Sequence, residues 1–573
     1  MNSSNKIVSF LINISRIVVG SVFIVSGLIK ANDALGFSYK LEEYFEPAAL
    51  GSFWTIFEPY ALPLAIMVCV AEVVLGLSLL VGTKYKLTVI LLTAFLVFFG
   101  FLTYYTAQCD PLEMVTYVND SGETITSNRQ CVLDCGCFGD ALKGSLGRSL
   151  TPWESFQKDM VLLFFTLFLF LGFKNQKLNN ERKDKIILGG ALIFTAAFGG
   201  YVFGWWMPLS FLAIASLLYL IIKWFYVRKG REWIIIAMLI GCSSAFVWYT
   251  LTYLPVKDYR PYAIGNDLGE LIKTSDEFKE EILNAEYERI MPSYASVIEE
   301  EVAALLATDS MYNLPAISDS LKGEIKMNIH QDVTSKYEDM AWTSADAFAT
   351  DSMVKGNLLP PVYYSLYYLQ NKNTGERGYF KSTDYITNGM WKEWDYVYVL
   401  VNKETGEEVE VEKANYNEEE WTAKGFKKKN FETLLDKPGY EPKIPQDFRF
   451  PDNDAVTAQV LGSENYVLLV VSWDLDLAHK KGYAKVNKLY NHSKEKGYDF
   501  YATTSKMALV DDYVKENNLD FGFISADDKI LKTIVRSNPG VLLLKGGVVY
   551  GKWDKHRVPS PKKLEKIIAK LEK

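Results

Sequence analysis

The sequence predicts a multi-span α-helical membrane protein carrying two extracytoplasmic parts, an α+β spacer and a terminal α/β module. Three observations lead there. Up to about Leu254 the chain is built from seven apolar runs, beyond that point it turns polar and acidic, and from about Pro442 strands and helices alternate. The averages conceal this division, since 23% charged and 49% hydrophobic residues would suit a soluble protein. A length of 573 residues exceeds what one core accommodates, so three or four units are expected. With 61 Lys+Arg against 69 Asp+Glu the net charge is -8, which leaves no basic surplus for phosphate contacts, and no nucleic-acid partner is expected. Gly, Pro and Cys are at or below ordinary usage, which excludes collagen-like, disordered and disulfide-scaffold classes.

The apolar runs are read as helices because roughly 20 residues rising 1.5 Å each cross the hydrocarbon. They fall near Ile7–Leu28, Ala61–Val81, Leu87–Thr106, Met160–Phe173, Ile186–Phe203, Leu209–Ile222 and Trp233–Leu254. The first has no small-residue cleavage site and reads as a retained helix, not a signal peptide. Basic residues mark the cytoplasmic loops. Lys84 and Lys86 fill the second loop, Lys174 to Lys185 the fourth, and Lys223 to Arg231 the sixth. Seven spans with a cytoplasmic N-terminus put all of these on one side with Lys6. The tail from Pro255 then lies outside, as expected of a multi-pass protein of the cell inner membrane with periplasmic C-terminal domains and lipid as its first partner.

Four of the six cysteines, Cys109, Cys131, Cys135 and Cys137, lie in the loop 108–158, whereas Cys69 and Cys242 fall in apolar spans and read as small hydrophobes. On an oxidising side of the membrane such thiols persist as disulfides, with three possible connectivities. Closing Cys135 and Cys137 across a single residue makes a small strained ring with a raised reduction potential. Gly136 and Gly139 give the backbone freedom to do so. Three readings fit this spacing: static disulfides pinning the loop, redox exchange, and a zinc site. The last lacks a second Cys-x-x-Cys or a nearby histidine, since His330, His479, His492 and His556 all lie in the tail.

Arg16 and Glu72 lie inside apolar spans, where an ionised group needs a partner. Both count to roughly 12–15 Å from the cytoplasmic face, so they are expected to meet, either as a packing pair or as a polar wall for a quinone head group or proton relay. Lys30, Asp33, Lys158 and Asp159 fall at the outer edge, where they either lower a thiol pKa or anchor helix ends.

The heptad Asp134-Cys-Gly-Cys-Phe-Gly-Asp140, followed by Thr151-Pro-Trp153 and Lys158-Asp159, resembles the hallmark of the DoxX/MauE group of membrane proteins. The first span agrees through Arg16, Gly20, Phe23, Ser26-Gly27, Lys30, Asp33, Gly36-Phe37, Lys40 and Tyr44, so the resemblance runs over residues 7–173. It implies a DoxX-like four-helix unit over residues 1–175, with three further spans over 176–255. It also implies extracytoplasmic thiol or sulfur redox chemistry in which Cys135 and Cys137 are the redox pair, Cys109 and Cys131 a shuttle, and quinone an acceptor. Lys158, Asp159, Arg16 and Glu72 are the expected supporting charges. No metal is expected.

Residues 256–441 are expected to form the spacer. Glu277–Thr308 is helical in pattern, with Phe278, Ile282, Ile290, Val297 and Val302 on one face. Tyr363–Tyr368 and Tyr396–Val401 read as strands followed by the matching turns Asn373-Thr-Gly-Glu376 and Glu404-Thr-Gly-Glu407, a pair of related hairpins. Nothing in this stretch suggests catalysis, so docking is the expected role.

Residues 442–573 alternate strand Tyr466–Ser472, helix Leu475–Lys496, strand Asp499–Thr504, helix Met507–Asn518, a hairpin of Val541–Leu544 and Val548–Trp553 across Gly546-Gly547, and helix Pro561–Leu571. This order resembles a thioredoxin-like domain, with Pro539 of Ser537-Asn-Pro-Gly540 at the position of that fold's cis-proline. Where a thioredoxin carries Cys-x-x-Cys this chain has Trp473-Asp-Leu-Asp476, and no cysteine follows Cys242. Asp474 or Asp476 is expected to cap the following helix. The resemblance implies binding in place of catalysis, with Trp473, Asp474, Asp476 and Pro539 framing a groove for a peptide or for the redox loop of a periplasmic protein. The function expected is that of an inner-membrane redox-associated protein exchanging disulfides through the Cys135-Gly-Cys137 loop, with electrons passed to quinone. The alternative is a non-enzymatic assembly factor or complex subunit with a docking module. Transport is weakest, because the spans show no broken pair of half-helices.

Overall fold

A computed structural model describes residues 3–109, 114–118, 124–132, 136, 138–142, 149–174, 176–226, 232–402, 408–428, 434–437, 439–444 and 448–572. It divides into two compact units, one formed by residues up to 269 together with those from 446 onward, the other by residues 270–445. Among the described residues six helices are long and apolar enough to cross a membrane: Lys6–Asn32, Trp54–Val81, Tyr85–Ala107, Glu181–Val202, Met207–Phe225 and Glu232–Thr252. The helices of this region are named in chain order: α1 Ser3–Asn32, α2 Ala34–Phe45, α3 Ala61–Val81, α4 Tyr85–Ala107, α5 Pro152–Phe170, α6 Glu181–Thr195, α7 Met207–Tyr226 and α8 Glu232–Thr252. The expected fourth span is α5, a 19-residue helix packed on α1 and α4. It falls outside the group of six because Glu154, Lys158 and Asp159 occupy its first turns.

Local chemistry sets the helix ends. Thr151 and Glu154 form a capping box at the start of α5, with Pro152 in the first turn where its missing N–H is no loss. Gly82, at φ +79°, ends α3 in the left-handed conformation that suits glycine. The register of α1 against α3 follows from small residues. A Cβ on Gly76 would stand 2.7 Å from the Gly20 carbonyl oxygen, and one on Gly27 would stand 2.9 Å from the Glu72 Cβ. Only glycine permits this approach, and van der Waals packing of such seams is what joins helices in lipid.

In the same unit, residues 448–572 build a five-stranded sheet in the order Ile524–Ser525, Asp499–Thr504, Val467–Val471, Gly540–Lys545, Val548–Trp553. The first three strands are parallel and the last two antiparallel. Val467–Val471 is buried at every position, as a central strand covered on both faces must be. Leu468, Val470, Leu489, Leu543 and Leu564 share its core. The Asn538–Pro539 peptide bond is cis. The first helix differs from expectation: it begins at Lys480, not Leu475, because residues 474–478 form a turn. The short strand Ile524–Ser525 and helix Asp528–Ile534 escaped sequence reading because neither is long enough to display a period.

The second unit is described separately. Ser275–Ile290 and Ala295–Thr308 are helices interrupted by a 3-10 turn at Pro292, and a 37-residue helix, Asp319–Lys355, packs on both. Its stripe of Ala341, Ala345, Ala349 and Met353 was too weakly apolar to stand out. Leu366–Asn371 and Arg377–Lys381 form a hairpin, Trp394–Asn402 pairs with Glu408–Glu412, and the two join through Leu369 opposite Tyr396. The turn Glu404-Thr-Gly-Glu407 lies outside the described residues.

Candidate functional site

The charged groups inside the helices are partnered differently from the sequence expectation. Arg16, fully buried, donates from Nε to the Leu79 carbonyl at 2.9 Å, and from a terminal nitrogen to the Leu80 carbonyl at 2.9 Å and to Asn179 Oδ1 at 2.8 Å. It thus serves the unpaired carbonyls and negative dipole end of α3 in place of a carboxylate. Glu72 instead accepts from Lys30 Nζ at 2.8 and 2.9 Å, and Lys30 also donates to Ser26 Oγ. The expected Arg16–Glu72 pair is corrected here. The glycine seam aligns residue 16 with the end of α3 and residue 30 with residue 72, eight residues or about 12 Å further along the helix.

Lys30 lines two cavities. The inner one, about 40 Å³, lies among α1, α3, α4 and α5 and is walled by Phe23, Phe99 and Leu162, with Glu72 and Asp159 as its acids. Asp159 pairs through Oδ1 with Lys158 at 2.9 Å, while its buried Oδ2 has no hydrogen-bond partner among the described residues. A space of this size holds water and not a quinone ring. The residues therefore do not fit a quinone head group at this point.

The outer cavity, about 230 Å³, is the candidate site. The end of α1 and the start of α2 form one wall, through Lys30, Asp33, Phe37 and Lys40. The cysteine loop contributes Gly136, Phe138 and Gly139; residues 255–260 and Arg536 close the remaining sides. Gly136 and Gly139 hold positive φ, +64° and +50°, and a Cβ on Gly136 would meet Lys40 Cγ at 3.0 Å. Phe138 packs between Phe198 and Phe203, with Lys158 Nζ 5.3 Å from its ring centre. Cys109 is joined to Cys131, which anchors the base of the loop. Cys135 and Cys137 lie outside the described residues. Among the described residues no three His, Cys, Asp or Glu side chains converge as metal ligands.

Arg536 reaches this cavity from the α/β module. Its Nε donates to Asp33 Oδ1 at 2.9 Å and Oδ2 at 3.0 Å, while Asp33 also caps α2 by accepting from the Gly36 N–H. Burial opposes ionisation of Asp33, but the Arg536 and Arg260 charges outweigh it and hold the carboxyl below its ordinary value. A second charged group sits behind. Asp258 accepts from Arg260 at 2.7 Å and from Lys552 at 2.6 Å, and these two cations overcome its burial and hold it low as well. Arg260 continues to the Thr533 carbonyl, and Asn32 binds the backbone of Val256 and Lys257. Residues 255–262 are thereby tied to both the membrane helices and the module.

The expected partner groove looks different in detail. The helix is capped by His479, whose Nδ1 accepts from the Gly482 N–H, whereas Asp474 caps the turn before it by accepting from Asp476 and Leu477. Asp476 is exposed, and Pro539 is buried beside Gly482. The Asn538 carbonyl is occupied by the His479 N–H. Lys532 Nζ lies near both Trp473 and α2, 5.8 Å from the Trp473 ring centre and 4.7 Å from that of Tyr39. Sequence reading missed Arg536, Asp258, Arg260 and Lys552. Arg536 alone had a signal, its place directly before Ser537-Asn-Pro-Gly540.

Compared with known proteins, residues 8–109 match the family model described as methylamine utilisation protein MauE. That match spans α1 to α4 and ends at Cys109, before the Asp134–Asp140 heptad. No curated protein and no solved structure matches.

Replacing Glu72 by Ala strands a buried ammonium. It is expected to lower stability by about 3–5 kcal/mol, whereas Lys30→Met with Glu72→Leu restores most of it; thermal denaturation of the purified chain measures both. For Asp33 the sign follows from its lowered pKa. The ionised carboxyl stabilises the folded joint, so its contribution is complete above the ordinary value near 3.8 and is lost as pH falls through and below it. Protease release of the module is expected to stay level from pH 7 to about 4 and to rise below that in the natural chain, and to depend less on pH in Arg536→Gln.

Proposed function

We propose that this chain is an inner-membrane, redox-associated protein whose cysteine loop exchanges disulfides in the outer cavity. The observation that carries the reading is the cavity's lining: Gly136, the residue between Cys135 and Cys137 in sequence, faces a space lined by Lys30, Lys40, Lys257, Arg260 and Arg536 against Asp33, Glu43 and Asp258. The surplus of cations in that lining favours thiolate over thiol. In the exchange a substrate thiolate attacks one sulfur of a Cys135–Cys137 disulfide, forms a mixed disulfide and releases the other cysteine as thiolate. A second substrate thiolate then displaces the remaining cysteine. The substrate leaves as a disulfide, and Cys135 and Cys137 hold the two electrons. No further electron step is drawn through a quinone, because the inner cavity is too small for one.

In this reading α5 is a seventh crossing, the basic loops are cytoplasmic, and both C-terminal parts are periplasmic. The sheet order and the helix after Val467–Val471 support a thioredoxin-like module, which without cysteines serves to dock and close the cavity, not to exchange. The MauE match supports the helical unit alone. The second reading, a membrane-anchored assembly factor, is favoured by the module's buried contacts with α1 and α2, which hold it in place without any chemistry.

Thiol trapping in growing cells followed by mass spectrometry is expected to find Cys135 and Cys137 in both oxidised and reduced forms, with Cys109–Cys131 constantly oxidised. The Cys135→Ser, Cys137→Ser double variant is expected to abolish function at unchanged abundance. Full function in that variant would leave the assembly role as the correct one.

A further inference from the structure

The α/β module carries a cluster of cations that neither the cysteine loop nor the cavity uses. Arg557 stacks on the end of α8, its guanidinium carbon 3.8 Å from the centre of the Tyr253 ring and 5.7 Å from that of Tyr249. His556 lies 6.2 Å from Tyr253 and 5.1 Å from His479, ring centre to ring centre. Lys485 donates to the His556 carbonyl, and the charges of His556, Lys555, Lys481 and Lys485 all act on His479. Lys480, Lys481, Lys485, His556 and Arg557 are exposed. Of the nearby acids, Asp554 is buried, bonded to the His556 and Arg557 amides and 3.9 Å from Arg557 Nε, and Asp474 is bonded within its own turn. Among these described acids only Asp476 is exposed.

The contact with α8 sets the height of this cluster. Tyr249 lies in the last turn of a membrane-crossing helix and Tyr253 one residue beyond it, about 6 Å apart along the axis. That distance is the thickness of a headgroup layer, about 5–7 Å on each side of the hydrocarbon. Trp248, 62% exposed at the same level, is the kind of side chain that marks this boundary. An Arg held against Tyr249 and Tyr253 is therefore held among headgroups. Lys485 is tied to the neighbouring His556 carbonyl, and Leu477, 70% exposed, lies two residues before His479.

We propose that this face of the module is a membrane-surface site that binds the anionic headgroups of phospholipids in the leaflet where α8 ends. Charge complementarity selects the lipid class, since several cations with one exposed acid gain from an anionic surface and little from a zwitterionic one. The module is thus held at two points: by Asp33 from the protein and by lipid at Arg557 and Lys481.

The full chain is reconstituted in nanodiscs of phosphatidylcholine, or of phosphatidylcholine mixed with phosphatidylglycerol, and acetylated briefly with acetic anhydride. Labelling of Lys481 and Lys485 relative to Lys515 is expected to fall roughly fivefold in the mixed discs. Inorganic phosphate added to the phosphatidylcholine discs is expected to leave the ratio unchanged. Arg557→Gln in mixed discs is expected to restore labelling; should it lower the thermal midpoint, Lys480→Glu with Lys481→Glu read through Lys485 serves instead. Equal ratios in both lipids, protection by phosphate alone, or protection that survives these substitutions would overturn the proposal.

Discussion

The ion pair between Asp33 and Arg536 is the contact on which the arrangement of the site depends. It joins residues 503 positions apart in sequence, at the point where the first membrane helix gives way to α2. The same carboxylate caps α2 and answers the guanidinium, so one side chain orients the helix that walls the cavity and fixes the module that closes it. Such a pair is favourable only when fully bonded, since either ion alone would be left in a poorly hydrated place. Asp258, Arg260 and Lys552 repeat the principle one layer back, and together these charges make the joint specific where an apolar contact would allow sliding.

Beneath the joint, the close approach of α1 and α3 decides which charges meet. Glycines at 20, 27 and 76 let the backbones approach, and that register gives Glu72 to Lys30 and leaves Arg16 to the carbonyl end of α3. Lys30 consequently stands between the outer cavity and the small inner cavity beside Asp159. One cation of the outer cavity is thus held by a carboxylate from deeper in the bundle.

Much of this was legible in the sequence, and the failures have physical causes. Apolar length announced the six membrane helices, because crossing hydrocarbon demands it; α5 was recognisable as a helix despite three early charges. Strands Asp499–Thr504 and Val548–Trp553 fell where the alternation put them, since their turns carry glycine or polar punctuation. The pairing of Arg16 with Glu72 failed because depth was counted from charge positions, whereas glycine contacts set the register. The expected cap at Asp474 failed because His479 also has an acceptor to offer and lies nearer the first helical turn. Arg536 had one signal, its place before Ser537-Asn-Pro-Gly540, but its pairing with Asp33 was not legible because the two lie 503 positions apart. For Cys135 and Cys137 the sequence offers their spacing, and the structure the position of Gly136 between them.

The central claim is that the module closes the cavity onto which the cysteine loop opens. A photo-crosslinker placed at position 532 of the full chain in native membranes, which leaves the Asp33–Arg536 pair intact, tests it most directly, with the joined peptides identified by mass spectrometry. Crosslinks to peptides carrying residues 30–43 or 136–142 are the expected result. Crosslinks confined to the module itself, to lipid or to other proteins would contradict it.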